Sequence, residues 1–242
     1  MNLLQIRQQL RAVSGRFDLI NADDSDNGAN FYINAGQKYL DRLTTTQKSY
    51  GICYRFCAVG AHSVQFPYCR AVKEVWAATT TARWQLEKKN LADLIAGYFT
   101  KLPSAITKGT PLYHAPTVTR AVPETFDTES EEFEAFSGYV DVISANPHEY
   151  NSVLIAPPPS EKTLIEIKGL FYTAELINDE DKSYWSEVHP DILIMATMRH
   201  LEIVNRNTQG VNDWNNAIGT EVINIGKDFV EEEIAEITQI ED

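Results

Sequence analysis

At 242 residues, the chain can bury a core as one large domain or two modest ones. Its 34 acidic residues against 21 basic ones give a formal charge of −13, which argues against a surface gripping nucleic-acid phosphates through clustered cations and suits a wall past which DNA slides. No apolar run approaches the ~20 residues of a membrane span, and Met1–Arg7 turns polar too soon for a secretory signal, so a cytoplasmic protein, or one assembled there, is expected.

Leu3, Leu4, Ile6, Leu10 and Val13 predict a short first helix stopped by Ser14 and Gly15. An acidic, turn-rich loop over Asn21–Gly28 follows. A second helix is expected over Ala29–Leu43, with Tyr32, Ala35, Tyr39 and Leu43 on one face. Gly36 inside it costs about 1 kcal/mol relative to Ala, which points to a neighbouring backbone passing close by. From Ser49 the texture becomes that of strands. Tyr50, Ile52, Tyr54 and Phe56 alternate with Gly51, Cys53, Arg55 and Cys57, the period-two pattern of a sheet with one buried face. Further strands are predicted at His62–Tyr68 and Ala71–Ala77, then a short helix over Leu91–Phe99, capped by Asn90 and ended by Leu102 and Pro103.

Ser104–Ser137 is rich in Thr, Pro and Glu and poor in periodicity. It is expected to be either mobile or an arm that orders on a partner. Strands resume at Gly138–Ser144, Val153–Ala156 and Leu164–Tyr172, and Pro157, Pro158 and Pro159 cannot sit in a central ladder. After the charged turn Asp179–Ser183, Pro190 opens a helix. The turn Asn205–Gly210 precedes a last helix striped by Val211, Trp214, Ile218, Val222, Ile225, Phe229 and Ile237. The reading is an α+β protein: a helical bundle formed by the N- and C-terminal helices (1–45 and 183–242) with an inserted antiparallel β domain (46–182) carrying a long arm at 104–137.

Three chemistries are conceivable on this frame. Asp23, Ser25 and Asn27 before Gly28 match the start of a calcium loop, but Asn34 falls where a bidentate Glu is required, so the stretch reads as a helix-capping loop. Cys53 and Cys57 on one strand would lie about 13 Å apart at ~3.3 Å per residue, too far for one zinc ion or a disulfide. Free, partly buried thiols are expected, and no cofactor or metal. The enzymatic alternative is a Mg²⁺-dependent nuclease, because Asp141, Glu166 and Lys168 resemble the Asp…Glu-x-Lys core of the restriction-nuclease-like superfamily. Against it, Glu166 and Lys168 share a face opposite Ile165 and Ile167, as on a solvated strand face.

Three stretches, "NGANFYINAGQKYLDRL", "NSVLIAPPPSEKTLIEIKGLFYTAEL" and "HPDILIMATMRHLEIVNRNTQGVNDW", resemble the head-to-tail adaptor (connector) proteins of tailed bacteriophages. The likeness covers the first 45 and the last 95 residues or so; Thr46–Ser137 carries no motif of that family. It implies a non-enzymatic virion structural protein at the head–tail interface, assembled in the host cytoplasm. Copies, commonly twelve, form a ring beneath the portal that extends the DNA channel without binding DNA specifically and docks a tail or nozzle protein. A tail terminator or tail-tube subunit is the alternative within the same class. The C-terminal segment reaches the portal in that family, which maps onto Phe229–Asp242. The apolar positions Phe229, Val230, Ile234, Ile237 and Ile240 are the expected portal interface, because they continue the stripe past the point where the bundle should end.

Overall fold

A computed structural model describes residues 1–44, 49–101, 105–118 and 151–238, the side chains of Val118, Phe229 and residues 231–238 excepted. Among them the chain is α+β. In chain order the elements are α1 (Leu3–Ser14), α2 (Ala29–Leu43), β1 (Tyr50–Cys57), β2 (Ser63–Phe66), β3 (Cys69–Ala78), β4 (Arg83–Gln85), β5 (Glu87–Lys88), α3 (Leu91–Tyr98), β6 (Tyr113–Val118), β7 (Asn151–Ala156), β8 (Thr163–Phe171), α4 (Tyr184–Val188), α5 (Pro190–Val204) and α6 (Thr208–Thr238). The chain divides into two units, one of Met1–Ser49 with Tyr172–Asp242, the other of Tyr50–Phe171.

In the helical unit, Asn2 and Gln5 form a capping box at the start of α1, satisfying two otherwise orphaned N–H groups. Gly15 ends the helix in the left-handed conformation, at φ 64°. The acidic loop caps α2: Asp26 Oδ1 accepts from the Gly28 and Asn30 N–H groups. The expected face of α2 is corrected. Ala29, Ile33, Gly36, Gln37, Leu40 and Asp41 are its buried positions, while Leu43 is exposed and Tyr32 and Tyr39 only flank the core. Gly36 marks the contact: a Cβ there would stand 3.1 Å from the Thr197 backbone nitrogen of α5, so a side chain would require that backbone to give way by a few tenths of an ångström.

Buried polar groups fasten the connecting segments to α2. Asp41 accepts from Trp185 Nε1 at 2.8 Å, from the Thr173 N–H at 2.7 Å and from Thr173 Oγ1 at 2.9 Å. The Asn34 amide pairs with both the N–H and C=O of Leu176, each at 2.9 Å. The turn before α6 is also corrected. Gly210 lies inside the first turn of α6, Arg206 takes the positive φ of 58°, and Asn207 Oδ1 accepts from the Gly210 N–H as an N-cap. Ile218 and Ile225 are buried, with Trp214 and Val222 packed beside them, so the stripe holds as far as Ile225.

The other unit stacks two four-stranded sheets, ordered β1-β8-β3-β4 and β2-β7-β6-β5. Phe66, Val75, Val153, Ile155, Ile165 and Ile167 form a shared core between them. Among the described residues all ladders are antiparallel except the short β5–β6 pair, which is parallel and corrects the all-antiparallel expectation. Gly169 belongs to a bulged stretch of the β3–β8 ladder, where a Cβ would meet the Ala71 carbonyl oxygen at 2.2 Å; only glycine fits there.

The expected arm is corrected in its first part. Ile106 is buried beneath the second sheet, and Tyr113–Val118 is a strand registered along β7. Pro116 is tolerated because β5 ends opposite His114, leaving that side of β6 without a ladder partner among the described residues to demand an N–H. Residues 119–137 and the strand expected at Gly138–Ser144 lie outside the described residues. Pro158 and Pro159, with no N–H to give, instead accept from the Gly109 and Gly60 N–H groups.

Candidate functional site

Strand β8 alternates as expected on its inner face, where Ile165 and Ile167 are fully buried. Its outer face is not the solvated row predicted: Glu166 is only 7% exposed. The ladder places Trp76 of β3 on one side of Glu166 and Tyr54 of β1 on the other, and Arg83 of β4 reaches over. Glu166 Oε2 accepts from Arg83 Nε at 3.0 Å and Nη2 at 2.8 Å, while Lys168 Nζ stands 3.4 Å from Oε1. The Arg83 guanidinium lies 4.2 Å from the Trp76 ring centre, the Lys168 ammonium 5.3 Å from it, and Trp76 Nε1 donates to Glu74.

Glu166 and Lys168 are thus brought together, but as part of a closed ion-pair and cation–π cluster. A divalent cation on Glu166 would have to displace the guanidinium. Asp141, the third member of the nuclease pattern, lies outside the described residues. No group of three or more His, Cys, Asp or Glu side chains is placed to hold a metal among the described residues. In the acidic loop, Asp23 of the calcium-like pattern accepts from Ser25, and the neighbouring Asp24 pairs with Arg11.

Other reactive side chains are kept quiet by burial. None of the three cysteines is in a disulfide, and burial pushes the Cys69 thiol up to about 11, so it carries essentially no thiolate at neutral pH. His114 points between the sheets, opposite Ile155, and burial pulls its imidazole down to about 4. His62 and His200 are lowered for the same reason, with Lys108 and Arg199 adding to it.

The feature that the sequence did not reveal lies beside this cluster. On β1 it is the Cys53 and Cys57 side that faces the core. Tyr50, Ile52, Tyr54 and Phe56 face outward and are 43%, 47%, 54% and 66% exposed. Lys162 sits 4.3 Å from the Phe56 ring centre. The only signal in the sequence was the absence of any charge on that side of the strand.

The expected portal interface falls on the last part of α6, a helix of 31 residues. Val230 is exposed; the side chains of Phe229, Ile234 and Ile237, and Ile240 altogether, lie outside the described residues. No helix among the described residues is long and apolar enough to cross a membrane.

No known family model matches the chain, and no curated protein matches it.

Proposed function

We propose that this chain is a virion structural protein, a head-to-tail adaptor whose copies form a ring beneath the portal, extend the DNA channel and dock the tail. In this reading the first and last helices make a bundle carrying an inserted β domain, and Phe229–Asp242 contacts the portal. The observation that carries it is the way the chain is divided. The two ends build one unit and Tyr50–Phe171 the other, a division that supports this reading. The charge of −13 suits a channel wall from which DNA must slide freely. The closed Arg83–Glu166–Lys168 cluster speaks against the nuclease alternative.

Negative-stain imaging of the purified protein, alone and with portal, tests the proposal. Rings seated on the portal are expected, and deletion of 229–242 should abolish seating while leaving the thermal melt nearly unchanged. A protein that forms no ring in either setting would overturn the reading. So would plasmid cleavage with Mg²⁺ that Glu166→Gln abolishes.

A further inference from the structure

We infer that Asn27 is a site of covalent modification gated by the loop between α1 and α2. Once that loop lets go, the Asn27 side chain closes on the Gly28 nitrogen and loses its amide as ammonia, leaving aspartate or isoaspartate. The inference does not depend on the ring reading above.

Asn27-Gly28 is the chain's single Asn-Gly pair, and both residues are exposed. Gly28 has no side chain of its own to hinder its nitrogen as it approaches the neighbouring side-chain carbonyl. The reaction balances with water alone. The Gly28 nitrogen gives its proton to solvent and bonds to Asn27 Cγ, the Cγ–Nδ2 bond breaks, and Nδ2 leaves as ammonia with a proton from water. Water then opens the cyclic imide at either carbonyl. Opening at the side-chain carbonyl restores the main chain with aspartate at 27. Opening at the main-chain carbonyl routes the chain through the side chain as isoaspartate, with an extra backbone carbon.

The folded loop holds both reacting groups back. Asn27 Nδ2 donates to the Asp18 carbonyl oxygen at 2.7 Å, and the Asn27 N–H to that of Leu19 at 2.9 Å. Ring closure expels the same nitrogen that Asp18 holds, so that bond has to break. The Gly28 N–H donates to Asp26 Oδ1 at 3.2 Å. A carboxylate there opposes loss of the proton, since the nitrogen would become anionic beside a negative charge. Arg11 steadies the loop from α1: it pairs with Asp24, and its Nη1 donates to the Asn21 carbonyl oxygen at 2.9 Å. An exposed loop held by a few hydrogen bonds opens far more often than its whole unit unfolds, and Asn27 reacts from that open form.

The change is one-way. Either product lacks the amide that donates to Asp18 and sets a carboxylate before that carbonyl oxygen. Isoaspartate also lengthens the backbone between 27 and 28, where Asp26 Oδ1 caps α2 by accepting from the Gly28 and Asn30 N–H groups. A modified loop therefore does not rebuild the start of α2 as it was.

The test incubates the whole chain in mildly alkaline buffer, native and in urea, and follows Asn27 by peptide mapping, with isoaspartate told from aspartate by fragmentation. Conversion should be roughly tenfold slower or more in the native protein than in urea. Arg11→Ala should speed the native conversion several-fold and leave the rate in urea unchanged. Equal rates in the two states, an Asn27 that stays intact even in urea, or a native rate indifferent to Arg11→Ala would each overturn the inference. Asn27→Asp, which builds one product directly, should exchange its Gly28 and Asn30 amide protons faster than the parent. Equal exchange would show that the modified loop closes again and would overturn the one-way change.

Discussion

The two sheets of the β unit share one core, yet their outer faces are finished differently. On the β2-β7-β6-β5 sheet, Ala115, Leu154 and Ala156 are buried beneath Leu94 of α3, Phe99 and Ile106. On the β1-β8-β3-β4 sheet, α3 does not cover Tyr50, Ile52, Tyr54 and Phe56, which are exposed, and Glu166 is enclosed by an arginine and a tryptophan instead. A sheet needs one apolar face to fold, and a second one must be either covered or used. Among the described residues of this unit one face is covered and the other is exposed, so the difference separates residues retained for stability from residues available for contact.

Stripping the cover should have the largest effect. Leu94 is fully buried, and Leu94→Ala should lower stability by about 2–4 kcal/mol through lost burial and the cavity left behind, measured by urea denaturation. Acid should act nearly as strongly on the core between the sheets. His114 is held neutral, with its pKa down at about 4 against an unfolded value near 6.5. Between those values the unfolded chain binds more protons, so this contribution is fully present above pH ~6.5 and is lost as pH falls toward 4, up to about 3 kcal/mol. A denaturation series across that range should show the loss, and His114→Gln should flatten it. A flat profile in the parent would place His114 in water.

The outer face should respond less. Glu166→Gln removes a carboxylate from two cations, of which Arg83 is half exposed and can rehydrate; a cost of about 1–2 kcal/mol is expected. A larger loss would mean that this face is as tightly closed as the other. Ile52→Ser should be smallest, within about 0.5 kcal/mol in the free subunit. A destabilisation matching that of Leu94→Ala would show that the stripe is covered after all and would erase the contrast.

What could be read from the sequence follows the same division. Caps and stops are local chemistry, so Asn90 before α3, Gly15 after α1 and both ends of α2 were legible. Faces are not local. The buried side of α2 is set by the need of Gly36 to admit the α5 backbone, information carried by another helix 160 residues away in the chain. The alternation of β1 showed that one side is buried without saying which, because Gly51, Cys53 and Cys57 are as compatible with a core as the aromatic side is. Strands β4 and β5 are too short and polar to show a period, and Pro116 disguised β6. The Glu166 site was legible as a motif but not as an ion pair, since Arg83 is far away in sequence and nothing local announces it.

The contrast between the two sheets stands on the outer side chains of β1 being open to solvent. Hydroxyl-radical labelling of the protein, read by mass spectrometry at Tyr54 and Phe56 with the fully buried Phe66 as the internal reference, measures this. Strong labelling of Tyr54 and Phe56 beside an unlabelled Phe66 is the expected result. Tyr54 and Phe56 labelled as little as Phe66 would contradict it.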